Sequence, residues 1–264
     1  MKIENVRITN ITIKNFKNVI NGSLALDNSK KNYKASVLGL YGQNGSGKTA
    51  IINVIELLQY LLCGRSIPSY FAEYININSN TASIAFEFNV NGLFLSYHCD
   101  ITTVPDETEQ NTEVPFQFQY EKKIRIFNEV LKCSTFPDKQ QRIGILIDTG
   151  CNDIFAPKTK LTLLTGKFDK DTDLIVAKKM TYMSSRSFIF SRELLTAIRT
   201  QNKINPNPEL IFYSSIIESI VYFGNHCLFI IKKYLTLLNY LRLIRSCGIY
   251  HTVSATAATA ILRE

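Results

Sequence analysis

The sequence predicts an α/β fold, in which a mixed sheet with antiparallel flanking strands is followed by a helical region. Three observations indicate this fold class. Alternating, β-branched segments recur through the first half of the chain; a strand, a glycine-rich loop and an apolar helix follow one another at residues 36–62; and an apolar helical stretch covers residues 209–245. With 264 residues, of which 45% are hydrophobic and 20% charged, the chain has enough apolar side chains for a large core.

The N-terminal segment is predicted to form a β-hairpin. Residues Val6–Phe16 alternate between polar and apolar side chains and are rich in β-branched residues, which is typical of a strand. Asn21-Gly22 is a type I′ turn signal, so Ser23–Leu26 is expected to return as the partner strand. Farther along, Ser36–Tyr41 is predicted to be a buried strand and Thr49–Leu62 an apolar helix.

The middle of the chain is predicted to be antiparallel sheet. Ala82–Val90 and Leu93–Ile101 alternate, and Asn91-Gly92 between them predicts a second hairpin. Thr102–Val114 is polar and acidic, which is typical of a loop. Further strand-like runs are Phe116–Tyr120, Ile124–Ile126, Arg142–Asp148 and Leu161–Leu164.

The last third of the chain is predicted to be helical. Helices are expected to begin near Asp171 and at Ser187. The prolines and asparagines of residues 201–208 oppose continuation of the second helix and predict a linker. We therefore divide the chain into a lobe at residues 1–200, a linker at 201–208, a helical arm-like segment at 209–246 and a tail at 247–264, to which the sequence assigns no role.

The formal charge of +8 is unevenly distributed along the chain. Residues 1–65 carry nine Lys or Arg against three acids, whereas residues 66–121 carry eight acids and no Lys or Arg. This segregation favours one basic face over a uniformly basic surface. DNA is therefore a candidate partner, although part of the basic charge is expected to serve a polyphosphate.

The six cysteines are scattered without a C-x-x-C pair, and the three histidines do not cluster with them. This spacing argues against a zinc site and a disulfide framework. The N-terminus is charged and then strand-like, so we expect no signal peptide and a cytoplasmic location. Residues 210–231 are apolar and about long enough to span a bilayer, but Glu218 among them favours a buried or partner-facing helix over a membrane anchor.

The glycine-rich loop matches the G-x-x-x-x-G-K-[ST] pattern in full. Its glycines let the backbone wrap around phosphate oxygens, while successive N–H groups and the positive end of the following helix attract the anion. The lysine is expected to reach the β- and γ-phosphates of ATP, and the threonine hydroxyl to coordinate Mg²⁺. The predicted nucleotide-binding residues are Gly42, Gln43, Asn44, Gly45, Ser46, Gly47, Lys48 and Thr49, with Thr49 as the Mg²⁺ ligand.

Together with the strand that ends in Asn15-Phe16-Lys17-Asn18, this loop resembles the ATP-binding heads of RecF and SMC proteins and of the related AAA-type ATPases of the OLD group. Many of these proteins act in bacterial DNA maintenance or phage defence. The resemblance covers residues 1–64 and, more loosely, residues 80–135. It implies a P-loop NTPase head lobe, a head-to-head dimer that sandwiches ATP, and helical arms that interrupt the head.

Three parts of such an ATPase are not recognisable in the sequence: a signature loop, a Walker B strand ending in Asp-Glu, and a switch histidine. Leu95–His98 lacks the glycine of a signature loop, and Ile145–Asp148 is followed by Thr149-Gly150 where an acid is expected. The catalytic residues are therefore unknown, and Asp148 is interpreted as a strand-end or turn residue. We expect the chain to represent the first lobe only. It is then a fragment of a longer protein, a truncated gene product, or a lobe whose missing half is supplied by another chain.

Two functions follow from this interpretation. The first is an ATP-binding head whose partners are its own copies, a second-lobe chain or DNA. The second is a nucleotide-sensing or interaction module that does not hydrolyse ATP and is the remnant of a truncated ATPase. Without a catalytic carboxylate to position water, ATP is expected to bind and to turn over slowly.

Overall fold

The computed structural model describes residues 6–26, 40–43, 45–105, 122–136, 142–150, 158–166 and 172–226. These residues form an α/β fold in which a six-stranded sheet and the helices share one hydrophobic core. The predicted α/β class is confirmed. The predicted mixed sheet is not seen within these ranges, because every described strand pair is antiparallel.

The sheet has the strand order β2-β1-β3-β4-β5-β6, so that β2 and β6 are its edges. The predictions of strands at Val6–Phe16, Ala82–Val90 and Arg142–Asp148 are confirmed, whereas Phe116–Tyr120 lies outside the described residues. The strands are β1 (Val6–Phe16), β2 (Val19–Ala25), β3 (Thr81–Val90), β4 (Leu93–Pro105), β5 (Lys122–Ser134) and β6 (Ile143–Asp148).

The hairpin between β3 and β4 forms where the sequence predicts it. Val90 pairs with Leu93, and the two residues between them have positive φ angles, 52° at Asn91 and 89° at Gly92. These angles are those of a type I′ turn, which matches the right-handed twist of the strands. β4 continues to Pro105, so the loop predicted from Thr102 begins later, and the rest of that loop lies outside the described residues.

The hairpin between β1 and β2 turns earlier than predicted. Phe16 pairs with Val19, so the turn is at residues 17–18, and the predicted turn residue Gly22 lies within β2 opposite Ile13. The turn is fixed by a distant segment: the Lys17 amide donates a 2.5 Å hydrogen bond to the Tyr74 carbonyl, and Asn76 Nδ2 donates to the Lys17 carbonyl at 2.7 Å. These contacts outweigh the local preference of Asn21-Gly22 for a turn.

Three helical assignments differ from the prediction. The helix expected from Ser187 begins at Arg192, because Ser191 caps it by accepting a hydrogen bond from the Leu194 amide. Leu161–Leu164 is helical rather than a strand, and Leu161 and Leu164 are both buried at the helical spacing of three. The predicted linker at 201–208 shrinks to 205–207, because helix continues to Ile204 and resumes at residue 208. The helices are α1 (Lys48–Leu62), a 3₁₀ helix (Ser69–Tyr74), α2 (Lys158–Thr165), α3 (Thr172–Met183), α4 (Arg192–Ile204) and α5, whose described part covers residues 208–226.

Helix α5 packs into the same core as the sheet. The Phe223 ring lies edge-on to the Phe88 ring of β3, with centroids 6.3 Å apart. Gly224 lies so close to α1 that a Cβ there would be 2.5 Å from the Leu62 Cβ. The predicted separation between the lobe and an arm-like segment from residue 209 is therefore wrong for α5 as far as residue 226, and residues 227–246 lie outside the described ranges.

The apolar segment at residues 210–231 lies within the described ranges as far as residue 226. In the part of the chain that the structure describes, no helix combines the length and the apolarity needed to cross a membrane. Glu218 lies on the exposed side of α5, where its carboxylate accepts a 3.1 Å hydrogen bond from Arg199 Nε. One face of α5 packs into the core, and its buried residues include Leu210, Tyr213, Ile216, Ile217 and Ile220.

Candidate nucleotide-binding site

The glycine-rich loop leads directly into the N-terminus of α1. Gly47 is the N-cap residue, with φ 87° and ψ 1°, and no side chain caps the helix. Gly45 also has φ 87°. Because L side chains rarely adopt such angles, the glycines at these two positions are required by the backbone path of the loop. The first turn of α1 contains no acid, so its free N–H groups face no competing negative charge.

Lys48 extends back across the loop. Its Nζ lies 2.7 Å from the Gly42 carbonyl oxygen, 2.8 Å from the Gln43 carbonyl oxygen and 3.1 Å from Ser46 Oγ. All three acceptors are neutral and exposed to solvent. Phosphate oxygens carry full charge and form stronger hydrogen bonds with an ammonium group, so they can replace these acceptors.

The turn between β1 and β2 supports the loop from one side. Asn18 Nδ2 donates a hydrogen bond to the Gly45 carbonyl oxygen. A Cβ at Gly47 would lie 3.0 Å from Val19 Cγ2, so the loop and the hairpin are in close contact. This role of Asn18 was not predicted, although its position immediately after Asn15-Phe16-Lys17 was a usable signal.

Lys17 joins the same hairpin to α1. Its Nζ donates a 2.7 Å hydrogen bond to Asn53 Oδ1 and lies 3.8 Å from the centroid of the Tyr74 ring. Burial lowers the pKa of Lys17, although the nearby Glu56 carboxylate acts in the opposite direction. Glu56 in turn accepts a 2.9 Å hydrogen bond from the Tyr70 hydroxyl. These contacts fix the direction of α1, and therefore of its N-terminus, against the sheet.

The strand predicted before the loop is wrong at its C-terminal end. Leu40 and Tyr41 are not in a strand, and the Tyr41 side chain is 95% exposed, where a buried strand was expected. Neither residue takes part in the pairing of the six described strands. Residues 36–39 and Asn44 lie outside the described ranges.

Asp148, the only acid in the Walker B-like segment, lies at the far side of the sheet. It ends β6, whereas the loop contacts the β1–β2 hairpin at the opposite edge. Asp148 Oδ1 accepts a 2.9 Å hydrogen bond from the Gly150 amide, as a turn residue does. The interpretation of Asp148 as a strand-end residue is confirmed.

A buried carboxylate that the sequence analysis did not identify lies on β5. The pairing of β4 with β5 shifts by one residue between His98 and Asp100, and Asn128 has φ 50°, so a β-bulge precedes Glu129. Glu129 points into the core, where it accepts hydrogen bonds from Ser187 Oγ and from the Tyr97 hydroxyl at 2.7 Å. Burial raises its pKa, and these hydrogen bonds oppose the shift. The sequence contains no signal for the burial of Glu129, because the bulge that precedes it depends on pairing with β4.

Comparison with known proteins assigns no family to the chain. No protein-family model matches the sequence, and no curated protein is significantly similar to it. The assignment of a function therefore depends on the geometry of the site and on the motif.

Proposed function

We propose that the chain binds Mg-ATP at the loop formed by residues 42–49. The observation that carries this proposal is the position of Lys48, whose ammonium group lies across a glycine loop at the uncapped N-terminus of α1. Three sources of positive potential then converge: the loop amides, the helix end and the lysine. A polyphosphate is the biological anion that matches a site of this length and charge.

The roles of the individual residues follow from their places in the loop. The backbone around Gly45 and Gly47 contacts the phosphates closely because neither residue has a Cβ. Lys48 neutralises the β- and γ-phosphates. Thr49, exposed in the first turn of α1, supplies the hydroxyl for Mg²⁺, whose other ligands are phosphate oxygens and water. Bound Mg²⁺ offsets phosphate charge, so the protein needs no acidic cluster of its own at this point.

The class of protein that we propose is an ATPase head of the RecF, SMC and OLD type, active in DNA maintenance or phage defence. The loop motif and the Asn15-Phe16-Lys17-Asn18 strand end support it, and the contact between Asn18 and the Gly45 carbonyl brings the two together. In such a head the antiparallel sheet flanks a parallel core. We propose that a second-lobe chain or another copy of this chain completes that core.

The second candidate is a nucleotide-sensing or interaction module that does not hydrolyse ATP. One observation favours it, namely that the Asp148 carboxylate is committed to a turn at the sheet edge opposite the loop. This candidate shares the nucleotide site with the first and differs from it only in turnover.

Binding is tested by titrating the chain with Mg-ATP in a calorimeter and repeating the titration with Lys48→Ala. Loss of a charge-assisted interaction of about 1.5–3 kcal/mol is expected to weaken binding by roughly 10- to 100-fold. Lys203→Ala, an exposed lysine in the last turn of α4, is the matched control and is expected to leave the affinity unchanged. Absence of binding heat for the unmodified chain, or equal affinity of the Lys48 variant, contradicts the proposal.

A further inference from the structure

A cavity of about 520 Å³ opens between the middle of β5 and the C-terminal half of helix α3. Phe127 of β5 and Tyr182 of α3 supply aromatic surface, and Thr149 lies at the end of β6. The nucleotide loop contacts the β1–β2 hairpin, and β3 and β4 separate β1 from β5. None of the described loop residues lines the cavity, so it is distinct from the candidate nucleotide site.

The polar floor of the cavity is fixed by the fold. Glu129 Oε2 accepts a 2.7 Å hydrogen bond from the Phe188 amide, and the Glu129 amide donates to Thr149 Oγ1 at 3.0 Å. Lys178 Nζ donates a 2.6 Å hydrogen bond to the Thr149 carbonyl. A floor built from such contacts remains in place whether or not a ligand is bound, as is usual for preformed small-molecule sites.

The charged side chains that line the cavity are mostly cationic. Lys178, Lys179 and Arg186 contribute positive charge, and the carboxylate of Glu129 is the single acid among the described lining residues. That carboxylate already accepts hydrogen bonds from Tyr97, Ser187 and the Phe188 amide. Arg186 Nη2 also lies 3.7 Å from Glu193 Oε1, which does not line the cavity. With the two lysines included, the lining still carries more positive than negative charge, which attracts anions.

Aromatic and sulfur-containing side chains lie beside these cations. Tyr182 is 40% exposed, and the Arg125 guanidinium lies 5.5 Å from the centroid of its ring. Met183 follows Tyr182 and is 65% exposed. A planar ligand ring can contact this surface through π and sulfur interactions, while its acidic group contacts the lysine and arginine heads.

We infer that this cavity binds a small aromatic anion, with its ring against Tyr182 and its acidic group at Lys179 and Arg186. A cavity of about 520 Å³ lies within the range of roughly 300–1,000 Å³ that small-molecule sites occupy. A carboxylate and a phosphate both present negative charge and hydrogen-bond acceptor oxygens to these residues. The site is independent of nucleotide binding at the loop.

The test uses three probes of similar shape and different charge, measured with the full chain by calorimetry. They are naphthalene-2-carboxylate, 2-naphthalenemethanol and 2-naphthylmethylammonium. The anion is expected to bind at least about 10-fold more tightly than the neutral probe, and the cation not to bind measurably. Equal affinity for the anion and the neutral probe, or no binding of the anion, overturns the inference. 2-Naphthyl phosphate, which has the same ring, serves as the phosphate probe, and its affinity relative to the carboxylate distinguishes the two acidic groups.

Variants locate the binding event. Lys179→Ala and Tyr182→Ala change exposed side chains, so both are expected to fold, and each is expected to weaken binding of the bound anion at least about 5-fold. Lys203→Ala is the control and is expected to bind unchanged. Lys48→Ala is also expected to bind unchanged, which separates this cavity from the nucleotide loop. Unchanged affinity in Lys179→Ala, or loss of affinity in Lys48→Ala, overturns the inference.

Discussion

Glu129 shows how one buried side chain can join distant parts of the chain. Its carboxylate links β5 to the segment at residues 187–188 through hydrogen bonds from Ser187 Oγ and the Phe188 amide. The Tyr97 hydroxyl of β4 donates to the same carboxylate at 2.7 Å. A buried carboxylate without these donors would cost several kcal/mol, so the network is a condition for the bulge that precedes Glu129.

We expect Glu129→Gln to lower the free energy of unfolding by about 1–3 kcal/mol. The amide replaces one acceptor oxygen with a donor, and either the Phe188 amide or the pair formed by Tyr97 and Ser187 then loses a partner. Urea denaturation at pH 7 measures the change. Glu218→Gln, on the exposed side of α5, is the matched control and is expected to stay within about 0.5 kcal/mol of the unmodified chain.

The pH dependence of the free energy of unfolding, compared between the unmodified chain and Glu129→Gln, provides a second test. Burial raises the pKa of Glu129 above its ordinary value of 4.5, so the folded state binds a proton more tightly than the unfolded state. The unmodified chain is therefore expected to gain stability relative to Glu129→Gln as the pH falls from 7 towards 4.5. A stability difference that is independent of pH in this window contradicts the assignment.

At the scale of single elements, the C-terminus of α1 depends on a glycine. Gly64 has φ 59°, its amide donates to the Leu61 carbonyl, and the Arg65 amide donates to the Tyr60 carbonyl, as in a Schellman motif. A Cβ at Gly64 would lie 2.5 Å from the Phe190 carbonyl oxygen. This glycine therefore ends the helix and also permits the approach of the segment before α4.

Gly64→Ala is expected to lower the free energy of unfolding by about 2–4 kcal/mol, which combines the cost of the left-handed angle with displacement of the Phe190 backbone. Gly92→Ala separates the two costs, since its φ is 89° and a Cβ there would meet nothing within 4 Å. That variant is expected to lose only about 1–2 kcal/mol. Equal losses in the two variants, measured by chemical denaturation, show that the Phe190 contact is unimportant.

At the scale of the whole molecule, the glycine-rich loop and Asp148, the acid of the Walker B-like segment, lie at opposite edges of the sheet. The loop contacts the hairpin that includes the edge strand β2, and Asp148 ends the other edge strand, β6. A water-positioning carboxylate must lie beside the γ-phosphate, and Asp148 does not meet this condition. Under the proposed function, Asp148 therefore does not supply the carboxylate for hydrolysis at the loop.

We expect the purified chain to hydrolyse Mg-ATP at least about 100-fold more slowly than the roughly 10 s⁻¹ that is typical of enzymes. Phosphate release is measured with and without duplex DNA, and Lys48→Ala gives the background. Turnover near the typical rate that disappears in Lys48→Ala shows that the chain contains its own catalytic carboxylate. Slow turnover together with tight binding supports the binding function and leaves the nucleotide site as proposed.

The sequence by itself determined the features that depend on neighbouring residues. Asn91-Gly92 specifies the β3–β4 turn, because both residues accept the positive φ angles that the turn requires. The apolar spacing of residues 49–62 specifies α1, and Gly64 ends it. The glycine pattern likewise predicted backbone angles that a Cβ would oppose, and Gly45 and Gly47 both have φ 87°. These requirements are local.

Only the tertiary structure decided the features that depend on residues far apart in the chain. Hydrogen bonds from the segment that contains Tyr74 and Asn76 fix the first hairpin turn at residues 17–18, whereas the local sequence predicted it at residues 21–22. The contact of Phe88 with Phe223 places α5 in the sheet's core rather than in a separate arm. The donors to Glu129 come from β4 and from residues 187–188, so no local pattern could predict its burial. Hydrogen bonds and packing between distant segments outweigh local preferences because burial makes an unpaired polar group or an unfilled space costly.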